Sequence, residues 1–244
     1  MHPDVEVTEL APPPALSKSV IRSLAVSEDG VVALVDGVPY NHATGERLHQ
    51  GGPLLGSAAL TSKGLFLLTR QALSASIQDR RIVTGTSVVD PTIQAWASPG
   101  SDSVYLFGGQ AAGGLYRLAA DKLKRVLDSA EQVTALGVAR GGILVARGRR
   151  IDEIAIESGE VRVTRIVEVP EQLSPILGLH DAERVLVIAT EKAVLMFDGE
   201  AYLPLVVGVG GPLYPYRDGL LVHDCNSRKL LVIKGPMLAA NRKQ

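Results

Sequence analysis

Two histidines and one cysteine are the residues in this 244-residue sequence best suited to reactive chemistry. His180 and His223 each end a short apolar run. Imidazole binds metals and shuttles protons, but a metal centre needs further ligands, and the neighbouring sequence offers neither a third ligand nor a nucleophile. Both are read as strand-end histidines. Cys225 follows Asp224, and a reactive thiolate wants an electropositive setting, not an acidic neighbour. One cysteine and five histidines leave no intrachain disulfide and no zinc site of several cysteines. A phosphate loop ending in Gly-Lys-Ser/Thr, a Gly-x-Ser-x-Gly elbow and a His-Glu-x-x-His helix are all absent from the sequence. The expectation is a protein without catalytic residues, metal or cofactor.

The other notable chemistry is charge. The totals nearly cancel, with 25 basic and 26 acidic residues, which argues against a global field for nucleic acid or membrane. Residues 61–150 nevertheless carry 12 basic and 6 acidic groups, a net +6, against −4 before them and −3 after. The densest part is Arg140, Arg147, Arg149 and Arg150, at the two ends of one apolar run and in the turn after it. A solvated rim is the plain reading. Because Arg suits carboxylate recognition, the functional reading is a docking patch for a protein partner with an acidic surface. Nucleic acid is disfavoured, since ten aromatic residues supply few stacking platforms. The first residues show no basic segment leading into an apolar run, and no apolar stretch approaches the ~18 residues of a membrane span. A cytoplasmic location is expected.

These residues must be held by short strands. Apolar runs rich in Val, Leu and Ile are punctuated by Gly, Asp and Ser, and one unit recurs: strand, polar turn, very apolar strand, then two weaker strands. The leading hairpins are 21–26 with 31–35, 55–60 with 65–68, 93–97 with 103–107, 133–138 with 143–146, 176–179 with 185–189, and 213–216 with 220–222. Their second strands start 34, 38, 40, 42 and 35 residues apart. Third strands are expected at 115–118, 151–156, 193–197 and 229–233, and fourth strands at 80–84, 123–127, 161–169 and 202–207. Two-stranded hairpins are marginal alone, whereas four-stranded blades packed face to face bury both faces of their inner strands. The expectation is an all-β, six-bladed β-propeller in one domain. Residues 1–10 are the closing outer strand of the last blade, 11–19 a spacer, 20–235 the blades and 236–244 a tail. An amphipathic helix over 117–133 is a minority alternative.

The segment 219–230, with Asp224, Asn226 and Arg228 after an apolar strand, resembles the strand-turn-strand unit of NHL-type six-bladed propellers, and the 27–30 turn resembles the Asp-Gly turn of WD40-like repeats. The other repeats lack the Asp…Asn-x-Arg pattern and no Trp-Asp pair ends a blade, so the resemblance is to the superfamily, not to one family. Six-bladed hydrolases related to lactonases hold calcium with Glu, Asn and Asp on inner strands. Here those strands carry Arg22, Ser23, Gln94, Trp96, Thr134, His180 and Tyr216, which suit a hard cation poorly. The functional expectation is a non-catalytic protein-interaction propeller, a scaffold or recognition subunit of a bacterial-type complex. One rival is a small-ligand or enzymatic propeller using a central channel at Trp96, His180 and Tyr216. Another is an RNA-binding NHL-like module using the Arg147–Arg150 region.

Overall fold

The computed structural model describes residues 4–27, 30–48, 57–67, 75–76, 81–82, 93–98, 100–108, 114–119, 122–128, 131–157, 160–182 and 185–238. These are nearly all strand. The helical elements among them are two single 3-10 turns, Pro14–Leu16 and Glu171–Leu173, and none is long and apolar enough to cross a membrane.

Strand β1 is Glu6–Glu9. β2 (Ile21–Val26), β3 (Val31–Val35) and β4 (Val38–Asn41) form one antiparallel sheet. β5 (Ala58–Thr61) pairs with β6 (Gly64–Leu67), and β7 (Ala75–Ser76) with β8 (Arg81–Ile82). β9 (Gln94–Trp96), β10 (Val104–Phe107), β11 (Leu115–Ala119) and β12 (Lys122–Leu127) make a four-stranded meander. Four more follow as β13 (Val133–Val138), β14 (Ile143–Arg147), β15 (Arg150–Glu157) and β16 (Glu160–Glu168). Another four are β17 (Gly178–Asp181), β18 (Leu186–Ala189), β19 (Ala193–Phe197) and β20 (Tyr202–Val207). The last three are β21 (Leu213–Tyr216), β22 (Gly219–His223) and β23 (Leu230–Lys234).

The chain divides into two compact units, residues 11–132 and residues 133–244 with 1–10. In the first unit, apolar clusters form between consecutive sheets. Ala25, Val32 and Leu34 pack on Ala58 and Leu65, while Ala59 and Phe66 pack on Ala95, Val104 and Leu106. Each sheet therefore buries both faces of its second strand, which is why β3 and β10 are apolar and buried at every position. The β3–β4 hairpin turns on Asp36-Gly37 with φ of 49° and 77°, the two positive values a type I′ turn requires.

The second unit repeats the scheme. Ala135, Leu144 and Ile151 meet Leu179, Leu186 and Ile188 in one cluster. Val187, Val194 and Leu205 meet Leu213, Leu220, Val222 and Ile233 in the next. The first strands of adjacent sheets come very close, so that β13 and β17 pair in parallel through Gly137↔Leu179 and Val138↔His180. A side chain at Gly137 would run into the Leu179 backbone, and one at Gly178 into Leu213 on β21. β1 pairs with β23 in register from Glu6↔Lys234 to Glu9↔Leu231, and so supplies the outer strand of the last sheet.

Hairpins form at all six expected places, the first strand of the fifth lying at Gly178–Asp181 and not at 176–179, and the closing strand falls where the sequence placed it. Residues 55, 56 and 68 of the second hairpin, residues 80, 83 and 84 of the expected 80–84 strand, and residues 239–244 of the tail lie outside the described residues. The helical alternative over 117–133 is overturned: β11 and β12 pair antiparallel there, with Leu118 opposite Leu123. Cross-strand pairing satisfies the backbone of both strands there.

Candidate functional site

The expected docking arginines stand on the β14–β15 hairpin of the second unit. Arg140 is exposed in the turn before β14. Arg147 and Arg150 sit directly opposite each other across the hairpin, and Arg149 occupies the turn between them. Two like charges face to face repel. Asp152, opposite Val145 on the same ladder, relieves this. Its Oδ2 accepts from Arg147 Nε at 3.1 Å and from a terminal Arg147 nitrogen, and its Oδ1 lies 3.9 Å from Arg150. The Asp152 side chain is 1% exposed and that of Arg147 10%.

A solvated rim and a docking patch both need their arginines at the surface, and Arg147 does not meet that expectation. Arg147 is buried and committed to Asp152. It lies on a strand that is buried at every position, and there its guanidinium meets the enclosed Asp152 carboxylate. Arg149 does project, donating through Nε to Val169 O at 3.0 Å and pairing with Glu168 at 3.3 Å.

The three channel candidates are all buried. In the first unit Trp96 on β9 faces its cross-strand partner Tyr105, ring centroids 6.0 Å apart. In the second unit Tyr216 ends β21 beneath the Arg217 guanidinium, 5.1 Å above the ring. His180 is buried on β17, and its Nδ1 has no hydrogen-bond partner. Burial lowers its pKa, with Asp181 opposing the shift, and burial likewise lowers that of His223 against Asp224. Thr134 Oγ1 on β13 is a second buried polar atom without a partner. Among the described residues no group of three His, Cys, Asp or Glu is placed to hold a metal ion.

The turn after β22 is built by Asp224. Its carboxylate accepts from Gly210 N–H at 3.0 Å, from Ser227 N–H at 2.9 Å and from the Ser227 hydroxyl. Burial pushes its pKa up, but these bonds outweigh burial and hold it below the usual carboxylate range. Asn226 Nδ2 donates to Glu191 O at 2.9 Å, in the turn between β18 and β19. Asp224 and Asn226 thus stitch consecutive sheets together. Cys225 between them is exposed, and burial of its thiol together with Asp224 and Glu191 raises its pKa, which disfavours thiolate.

Sequence reasoning missed where apolar side chains meet solvent. Val163 and Ile166 on β16 are 45% and 43% exposed, and Leu203 and Val207 on β20 are 40% and 66%. β16 and β20 are the two edges of one eight-stranded sheet, in the order β16-β15-β14-β13-β17-β18-β19-β20. The signal was present as Val-Arg-Val-Thr-Arg-Ile-Val and Leu-Pro-Leu-Val-Val, fourth strands that are more apolar than an outward position needs.

No family model matches the chain, and no curated protein matches it. Solved structures do. A gluconolactonase from Xanthomonas campestris superposes with a TM-score of 0.64 at 14% identity, over 96% of this chain and 91% of that one. BamB from Moraxella catarrhalis gives 0.60 at 10% identity over 89% and 86%. The N-terminal domain of Nup159 gives 0.54 at 11% identity over 95% of each. These are β-propellers, and the protein has the same all-β propeller fold. At such identities the likeness carries the fold and not a reaction or a partner.

Proposed function

We propose that this protein is a non-catalytic interaction propeller of six blades, acting as a scaffold or recognition subunit of a larger complex. The carrying observation is that each of two outer strands, at opposite edges of one sheet, exposes a pair of apolar side chains: Val163 and Ile166 on β16, and Leu203 and Val207 on β20. Exposed apolar side chains grouped on an outer strand offer a surface that a partner can cover. Propellers serve this role elsewhere, since one solved structure has Dbp5 bound to Nup159. The single cysteine fits a reducing, cytoplasmic compartment for that role.

The test is affinity capture from the native source with the wild type and with a variant carrying Val163→Thr, Ile166→Thr, Leu203→Thr and Val207→Thr. The variant is expected to keep its melting temperature and to lose the stoichiometric partner. Equal recovery of the same partner by both proteins overturns this reading. A second reading, a small polar ligand held at the first strands of the blades, draws on the unpartnered His180 Nδ1 and Thr134 Oγ1. A metabolite-dependent rise in melting temperature that disappears in His180→Phe would favour it.

A further inference from the structure

The outer strands protect their free edges unequally. An unpaired strand edge is a template for another chain, and proteins blunt it with shortness, lysines or proline. β1 has only four residues, with Glu6 and Glu9 exposed. β12 carries two lysines, Lys122 and Lys124. β20 carries Pro204, which cannot donate to a ladder. β16 is nine residues long, Glu-Val-Arg-Val-Thr-Arg-Ile-Val-Glu, without lysine or proline. Its one irregularity lies near its end, where Ile151 and Asp152 face Val167 and Arg165 and leave Ile166 as the extra residue of a bulge. From Glu160 to Arg165 the strand is regular.

The geometry points to β16 as a strand-addition site for an extended acidic segment of a partner protein. This rests on the interaction reading above and gives the partner its chemistry. Val161 and Val163 share one face of β16 with Arg165, and Arg162 stands on the other. Arg162 forms no ion pair among the described residues, whereas Arg165 and Arg149 share Glu168 at 3.8 and 3.3 Å. A strand laid along this edge gains main-chain hydrogen bonds for affinity, while its side chains set specificity. Apolar residues would sit opposite Val161 and Val163, and carboxylates opposite Arg162 and Arg165. An antiparallel guest therefore reads acidic, any, apolar, acidic, apolar. A second copy of β16 is a poorer guest, because its glutamates, Glu160 and Glu168, are too far apart to face Arg162 and Arg165 in any one register.

The probe is a synthetic octapeptide built around Asp-Thr-Val-Asp-Val (the Val/Asp peptide), with two controls: the same peptide N-methylated at alternate residues, and the same sequence with Lys in place of each Asp (the Val/Lys peptide). Hydrogen exchange of segment 160–168 in the full-length protein is expected to slow about tenfold at saturating Val/Asp peptide. Neither control should slow it. Arg162→Glu with Arg165→Glu should weaken Val/Asp binding about tenfold and admit the Val/Lys peptide. Because the N-methylated control leaves the protein untouched, the result does not depend on how that variant folds. Peptide binding without protection of 160–168 overturns the inference, as does protection that follows protein concentration alone, which would mark a second copy on the edge. Either result can occur while the partner captured by the wild type is still lost from the four-threonine variant, so the broader reading is judged separately.

Discussion

Arg147 donates through its Nε and a terminal nitrogen to a single oxygen of Asp152, in a pair whose two side chains are almost wholly enclosed by the sheet stack. Removing one partner from such a pair leaves a buried charge uncompensated, whereas replacing both with apolar groups is often neutral. Asp152→Leu is expected to lose about 3–5 kcal/mol of stability. Adding Arg147→Met should recover most of it. Urea unfolding of the two single variants and the double variant measures this, and additive losses would show that the two residues act independently.

Loss of residues 1–10 removes β1 from the last sheet, along with the buried Val5 and the Glu9–Lys229 ion pair at 2.6 Å. It also bares β23 as an apolar edge. Burying Val5 alone stabilises by about 1.5–3 kcal/mol, so the truncated protein should melt well below the wild type and self-associate. Thermal melts and sedimentation check this, and an unchanged melting temperature would contradict the structural role given to β1.

The strands were legible because burial on both faces leaves a long-lived mark in composition: β3, β10, β14 and β18 are apolar almost throughout. β4 was not foreseen, although its Asp36-Gly37 turn is a two-residue hairpin signal. The Asp224 turn was recognised, but its bonds to Gly210 and Glu191 are long-range and leave no local pattern. The fate of Arg147 was equally hidden. In sequence it is one arginine of a basic run, and only the hairpin register brings Asp152 to it.

Stability should fall on mild acidification. Burial lowers the pKa of His180, His223 and His42 below the ordinary 6.5. The unfolded chain then takes up protons near pH 6.5 that the folded protein does not, so the unfolded state binds more protons in that range. Stability is complete above pH 6.5, declines as pH drops below it, and levels off below the folded pKa values. Melting temperature measured from pH 7.5 to 5 should drop, and His180→Phe should make the drop shallower. An identical slope in that variant would mean that His180 stays neutral in both states or titrates alike in both.

The arginines at the two ends of β14 allow one face to be told from the other. Arg140 lies before the strand and Arg149 after it, separated by a five-residue strand that spans about 17 Å. Arg149 stands beside Glu168 at the end of β16, next to the exposed Ile166, so charge there adjoins the apolar edge offered for docking. Arg149→Glu should therefore slow association with the captured partner, more at low salt than at high. Arg140→Glu should leave the rate unchanged. Both substitutions are at exposed positions and should alter stability by no more than about 1 kcal/mol. The measurement is the association rate by surface plasmon resonance across salt concentrations. A slower rate for Arg140→Glu with Arg149→Glu unaffected would move the docking face to the opposite end of β14.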